Sequence, residues 1–153
     1  MKIALASDHA GYQLKNHLVA FLQIQGYEVL DLGVTTDTVS ADYPDAATAV
    51  AKAIQNGDAE RGILSCGSGV GVSITANKYP GIYAAICHDT YSAHQGVEHD
   101  NMNVLCLGSR IVGINVAEEL ADAFISAEFN GIDRYIRRFN KVRTFEQYQK
   151  NDA

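Results

Sequence analysis

Positive charge is in short supply in this chain: 12 lysines and arginines stand against 18 aspartates and glutamates in 153 residues, a formal charge of −6. That balance argues against nonspecific nucleic-acid or anionic membrane binding as the main business, because both ask for the opposite sign. No apolar run approaches membrane-spanning length. The opening Lys2-Ile3-Ala4-Leu5-Ala6 reads as a strand, without a signal peptide's basic region and cleavage site, so a soluble cytoplasmic protein is expected. Cysteines number three, at 66, 87 and 106, with no C-x-x-C spacing, and reduced thiols are the simplest reading. No two histidines stand at the i, i+4 metal spacing, and no metal is expected. Repeats, low-complexity runs and linkers are also missing. One domain over residues 1–153 is expected, with a hydrophobic fraction of 47% for its core.

What is present is an alternation of apolar strands and amphipathic helices. Strands are expected at 2–7, 27–32, 62–66, 82–87 and 103–107. Helices are expected at 12–25, from Pro44 to Gly57, after the 67–71 loop, from His88 to about Val97, at 115–128 and from Asp133 to about Gln149. Five strands each followed by a helix force parallel pairing through right-handed crossovers. The fold expected is therefore α/β: a three-layer, Rossmann-like, five-stranded parallel sheet in the order 2-1-3-4-5. Strand four, Ile82-Tyr83-Ala84-Ala85-Ile86-Cys87, reads as covered on both faces. Winding reverses between strands one and three, and ligands bind beyond the carboxyl ends of the strands at such a point. Strand one ends at Ser7-Asp8-His9 and strand three at Cys66-Gly67-Ser68, so both clusters are expected in one crevice.

The second cluster lies in the most informative stretch, GILSCGSGVGVSITAN at 62–77. A strand delivers Cys66 to a loop with glycine at 67, 69 and 71, whose N–H groups can turn inward around an anion ahead of a helix start. That field favours a sulfur anion. The loop lacks the Lys-Ser/Thr ending of a P-loop, and its spacing is not that of the dinucleotide fingerprint. A thiolate so placed can attack a carbonyl, or it can take a proton from the carbon beside one. In the second case the Gly67–Gly71 amides and the Ser68 hydroxyl hold the enediolate charge. Both chemistries stay open at this level. Arg134 and Arg138, four apart on one face of a basic tail, have the spacing of a phosphate grip, and Arg110 after strand five is a third candidate. Histidines 9, 88, 94 and 99 lie near strand ends or in the polar stretch before strand five. An imidazole there suits moving a proton on or off a sugar-ring oxygen.

Across nearly its whole length the chain resembles the type B ribose-5-phosphate isomerases, grouped with the galactose-6-phosphate isomerase subunits. The resemblance rests on S-D-H-A-G at 7–11, D-Y-P at 42–44, G-I-L-S-C-G-S-G-V-G at 62–71, A-N-K at 76–78, E-H-D-N-M-N-V at 98–104 and G-S-R-I-V-G at 108–113. It implies interconversion of ribose 5-phosphate and ribulose 5-phosphate, in the non-oxidative pentose phosphate branch, without metal or organic cofactor. Cys66 matches the base that moves a proton between carbons 1 and 2. Gly67, Ser68, Gly69, Val70 and Gly71 match the anion hole, and His99 matches the residue that opens the furanose ring. Asp8 and His9 match sugar and phosphate contacts, Tyr43 lies by the substrate, and Arg110, Arg134 and Arg138 match the phosphate-binding arginines. The resemblance also implies a homodimer, in some members a tetramer, with two chains completing each site and the C-terminal helix reaching a partner.

Three departures stand out. Val72 occupies the place where one branch carries a glutamate base. Asp100-Asn101 stands where many relatives have Asn-Asp, which bears on the hydroxyl contact expected of Asp100. Tyr135 replaces a histidine common beside the first tail arginine. The last two keep a six-carbon substrate, allose 6-phosphate or galactose 6-phosphate, as the alternative. A non-catalytic sugar-phosphate-binding module and thiol-based acyl or redox chemistry are the competing classes.

Overall fold

In the computed structural model, which describes residues 1–151 with side chains through Glu146, five parallel strands form one sheet. They are β1 (Lys2–Ser7), β2 (Glu28–Asp31), β3 (Arg61–Cys66), β4 (Ala84–Ile86) and β5 (Val104–Gly108). The helices are α1 (Tyr12–Ile24), α2 (Tyr43–Gln55), α3 (Val70–Ala76), α4 (Thr90–Asp100), α5 (Ile114–Ser126) and α6 (Asp133–Asn151). Alternate residues of each strand point to opposite faces, and this period of two builds the three layers. Ile3, Leu5, Ile63, Leu105 and Leu107 pack under α1, α4 and α5, against Leu18, Leu22, Val97, Leu120 and Phe124. Ala4, Ala6, Leu64, Cys66 and Cys106 face α2 and α3, against Ala47, Val50, Ala51 and Val72. Small residues let α2 come close on that side: a Cβ on Gly62 would lie 2.3 Å from Val50 Cγ1.

The strand order is β2-β1-β3-β5-β4, which corrects the expected 2-1-3-4-5. β5 pairs with β3 from Gly62↔Val104 to Cys66↔Gly108, and β4 lies at the edge. An interior strand needs apolar cover on both faces and hydrogen-bonded neighbours on both sides. All five residues of β5 are buried, whereas β4 shrinks to Ala84-Ala85-Ile86, with Ile86 36% exposed. The apolar look of 82–87 comes instead from Ile82 and Cys87, buried just outside the ladder. β1 and β3 remain neighbours, so the crevice at the winding reversal keeps its place.

α4 also departs from expectation, running from Thr90 to Asp100 rather than ending near Val97. Asp89 caps its start by accepting the Ser92 N–H at 2.7 Å. Its end is set by Asn101, in the left-handed conformation at φ 54°, with the Met102 N–H returning to Gly96 O at 3.0 Å. His99 and Asp100 therefore sit in the last helical turn, not in a polar loop.

Candidate active site

Cys66 is the last residue of β3, 5% exposed, and its Sγ accepts the Gly69 N–H at 3.1 Å. Gly69 reaches that position with φ 81°, a left-handed conformation that glycine adopts without strain. Ser68 is exposed, and its Oγ accepts the Val70 N–H at 3.2 Å. Among the described residues, the N–H groups of Gly67, Ser68 and Gly71 have no acceptor within the chain. This turn therefore gives one donor to the sulfur and leaves three more without an internal acceptor, as an anion-binding turn does.

The end of β1 meets the same turn. Asp8, 8% exposed, accepts the Gly11 N–H at 3.0 Å and so fixes the entry into α1. Gly11 in turn lies on β3, and the Ser65 hydroxyl donates to its carbonyl at 3.0 Å. His9 Nδ1 lies 3.1 Å from the Ala41 nitrogen and 3.3 Å from the Ala41 oxygen, so the ring meets that residue's backbone whichever ring nitrogen carries the hydrogen. That bond ties the segment leading into α2 to the crevice, and Tyr43 opens α2 with its ring over Gly71. Arg110 comes from the turn after β5, with its guanidinium over Gly67. Asp8, His9, Tyr43, Cys66, Gly67, Ser68, Gly71 and Arg110 all line one cleft of about 450 Å³. Gly69 and Val70, also expected at the site, are not among the residues that line it.

The remaining residues singled out in the sequence lie elsewhere in the chain. His99 ends α4, stacked on Tyr135 with ring centroids 4.1 Å apart and bonded through Nδ1 to Gln95 at 2.8 Å. Arg134 covers the Tyr135 ring at 4.6 Å and bonds its hydroxyl. Arg138 is exposed on α6, and Asp100 is exposed beside the start of β4. α4 runs back from the carboxyl end of β4 to the amino end of β5. Five residues of β5, at about 3.3 Å each, therefore separate this group from Cys66 by on the order of 15 Å. His94 pairs with Glu98 at 3.2 Å on an exposed face of α4.

Ser65 and Ser109 escaped the sequence reading. Ser109 donates its hydroxyl to Ala10 O at 2.7 Å and its N–H to Cys66 O at 2.9 Å, stitching the ends of β1, β3 and β5 together. The only available signal was its place inside G-S-R, where the arginine drew notice. Among the described residues no group of three or more His, Cys, Asp or Glu side chains is arranged to hold a metal ion. Nor, among those residues, is any helix long and apolar enough to cross a membrane.

A thiol at a strand end, a turn of N–H groups without internal acceptors and an arginine beyond the carboxyl ends of a parallel α/β sheet define a cleft suited to an anionic small molecule. The family model described as Ribose/Galactose Isomerase matches residues 3–142, and the chain belongs to that family. Ribose-5-phosphate isomerase B of Escherichia coli (strain K12) is 43% identical over 146 residues, covering 95% of this chain and 97% of that protein. D-erythrulose-4-phosphate isomerase of Pectobacterium atrosepticum is likewise 43% identical, over 99% of each chain. The Clostridium thermocellum ribose-5-phosphate isomerase B structure superposes with a TM-score of 0.94 at 44% identity, covering 97% of this chain and 99% of that one. The chain is thus an isomerase.

Proposed function

We propose that this isomerase interconverts ribose 5-phosphate and ribulose 5-phosphate through an enediolate, with Cys66 as the base. In the forward direction the sulfur anion takes the proton from carbon 2 of the open-chain aldose, and the electron pair moves onto the carbonyl oxygen at carbon 1. The thiol then returns that proton to carbon 1 as the hydroxyl proton on oxygen 2 is lost and oxygen 1 is protonated, so nothing is consumed. The observation that carries this reading is Sγ on the wall of a cleft that also holds Arg110 and N–H groups without internal partners. Such preorganised donors stabilise a charge that exists only on the way to product.

The second half of the reading concerns assembly. His99 is present, and its Nδ1 is held by Gln95, which leaves Nε2 to move the ring-oxygen proton. The length of the sheet keeps it from the Cys66 of its own chain. Each site therefore takes Cys66, Asp8, His9, Tyr43 and Arg110 from one protomer and His99, Asp100, Arg134 and Arg138 from a second copy. α6 supports this, with Ile136, Val142 and Phe145 between 40% and 68% exposed. A thiol used as a base needs a reducing setting, which fits a cytoplasmic enzyme acting without cofactor.

The test is a panel of four-, five- and six-carbon aldose phosphates assayed in chelator, with proton exchange at carbon 2 followed in deuterated water. Ribose 5-phosphate should give the highest kcat/KM. Cys66→Ala should lower kcat roughly 10²–10⁴-fold while ligand binding survives. Near-normal turnover by that variant rules out the proposed base. A six-carbon or tetrose preference reassigns the substrate to the pocket end shaped by Asp100 and Tyr135.

A further inference from the structure

β4 stops too early for β5. The Val104 N–H bonds to Tyr83 O at 3.2 Å, and the period of two turns the N–H groups of residues 106 and 108 toward the same neighbour. Pairing with β4 ends at Ile86↔Cys106, so the buried Gly108 N–H has no strand carbonyl to meet. A side chain takes the carbonyl's place: His88 Nε2 accepts the Gly108 N–H at 3.0 Å. Because the amide proton is fixed, Nε2 is unprotonated and the neutral ring carries hydrogen on Nδ1.

The peptide held in this way is the surface on which the Cys66 turn rests. A Cβ on Gly69 would lie 3.0 Å from Leu107 C and 3.2 Å from Gly108 N. A Cβ on Gly108 would lie 2.8 Å from Ser68 C and O. The Leu107–Gly108 peptide and the Ser68–Gly69 turn thus touch backbone to backbone, with no room for a methyl group. Gly69 is the residue whose N–H meets Cys66 Sγ at 3.1 Å. A shift of the peptide is passed directly to the donor on the sulfur.

We propose that His88 is a positioning residue for Cys66: its Nε2 fixes the Leu107–Gly108 peptide, and the peptide seats Gly69 so that its N–H meets the sulfur. His88 is not among the residues lining the cleft and acts only through Gly108. The proposal deepens the isomerase reading and rests on Cys66 being its base.

The experiment compares His88→Gln, whose amide oxygen can stand where Nε2 stands, with His88→Leu, which has similar bulk and no acceptor. The leucine variant should lose roughly ten- to a hundredfold in kcat with KM within about twofold, because the N–H donor on the sulfur is displaced while Asp8, His9 and Arg110 keep their places in the cleft. The glutamine variant should stay within about threefold of wild type. The rate at which iodoacetamide alkylates Cys66, read by mass spectrometry, should change in the leucine variant and not in the glutamine one. Nitrogen-15 spectra of the wild-type protein should show His88 as the Nδ1–H tautomer, a readout that stands even if the leucine variant does not fold. Equal behaviour of the two variants, or an Nε2–H tautomer, overturns the proposal. A wild-type protein inactive on every sugar phosphate instead overturns the isomerase reading, and the alkylation and tautomer readouts still judge the His88 coupling.

Discussion

Two glycines at the site are required by space and not by backbone angle, yet their neighbours differ. A methyl on Gly71 would meet Tyr43 Cδ2 and Cε2 at 2.8 Å, and Tyr43 is 43% exposed, so its ring is free to swing toward solvent. On Gly11 the obstacle is Ser65 O at 2.4 Å, backbone of a buried strand that cannot give way. Gly71→Ala should therefore raise KM several-fold with a melting temperature within a few degrees of wild type, since only a cleft wall moves. Gly11→Ala should cost about 1–3 kcal/mol or more in urea unfolding, as overpacking in a tight interior does. The pair is checked by measuring KM and the urea midpoint side by side. A sequence can mark Gly11, Cys66 and Gly71 as strand ends and turns. It cannot say that an aromatic ring lies on one glycine and a carbonyl on another, because those neighbours come from α2 and β3.

Among the secondary-structure elements, α5 ends without a glycine cap, its C-cap residue Ala127 being extended. Arg61 at the start of β3 supplies the missing donors, bonding the carbonyls of Phe124, Ile125 (3.2 Å) and Ala127 (2.6 Å) with its guanidinium over the Phe124 ring at 5.3 Å. Burial lowers the Arg61 pKa from its ordinary value, but an arginine stays charged at any working pH. Arg61→Met keeps the apolar stem and removes the donors, so three helix-end carbonyls lose their partner. About 2–4 kcal/mol of stability should go, read from the urea midpoint, with kcat unchanged because α5's end is remote from the cleft. Periodicity located all five strands and the main helices, since each repeats apolar residues at its own period. It missed devices that do not repeat: Asn101 turning left-handed to close α4, and Met102 packed on Gly96, which carried α4 on to Asp100. It also misjudged β4, because apolar content alone does not separate an interior strand from an edge one flanked by buried residues.

At the scale of the whole molecule, the crevice between β1 and β3 was legible because topology places it wherever winding reverses, and the exchange of β4 and β5 leaves that pair untouched. The separation of His99 from Cys66 was not legible, since sequence order says nothing about which end of the sheet a helix turn occupies. That separation makes the assembly testable by mixing two inactive chains. If each site draws Cys66 from one protomer and His99 from the other, a dimer of one Cys66→Ala chain and one His99→Ala chain contains one intact site and one doubly damaged site. Random exchange of equal amounts makes half the dimers mixed, so about a quarter of all sites regain both residues, as closed two-fold symmetry requires. Unfolding and refolding the two variants together should thus restore about a quarter of wild-type turnover, while each refolded alone stays inactive. Were Cys66 and His99 to act within one chain, every site in the mixture would lack one of them, and no activity would return at any ratio.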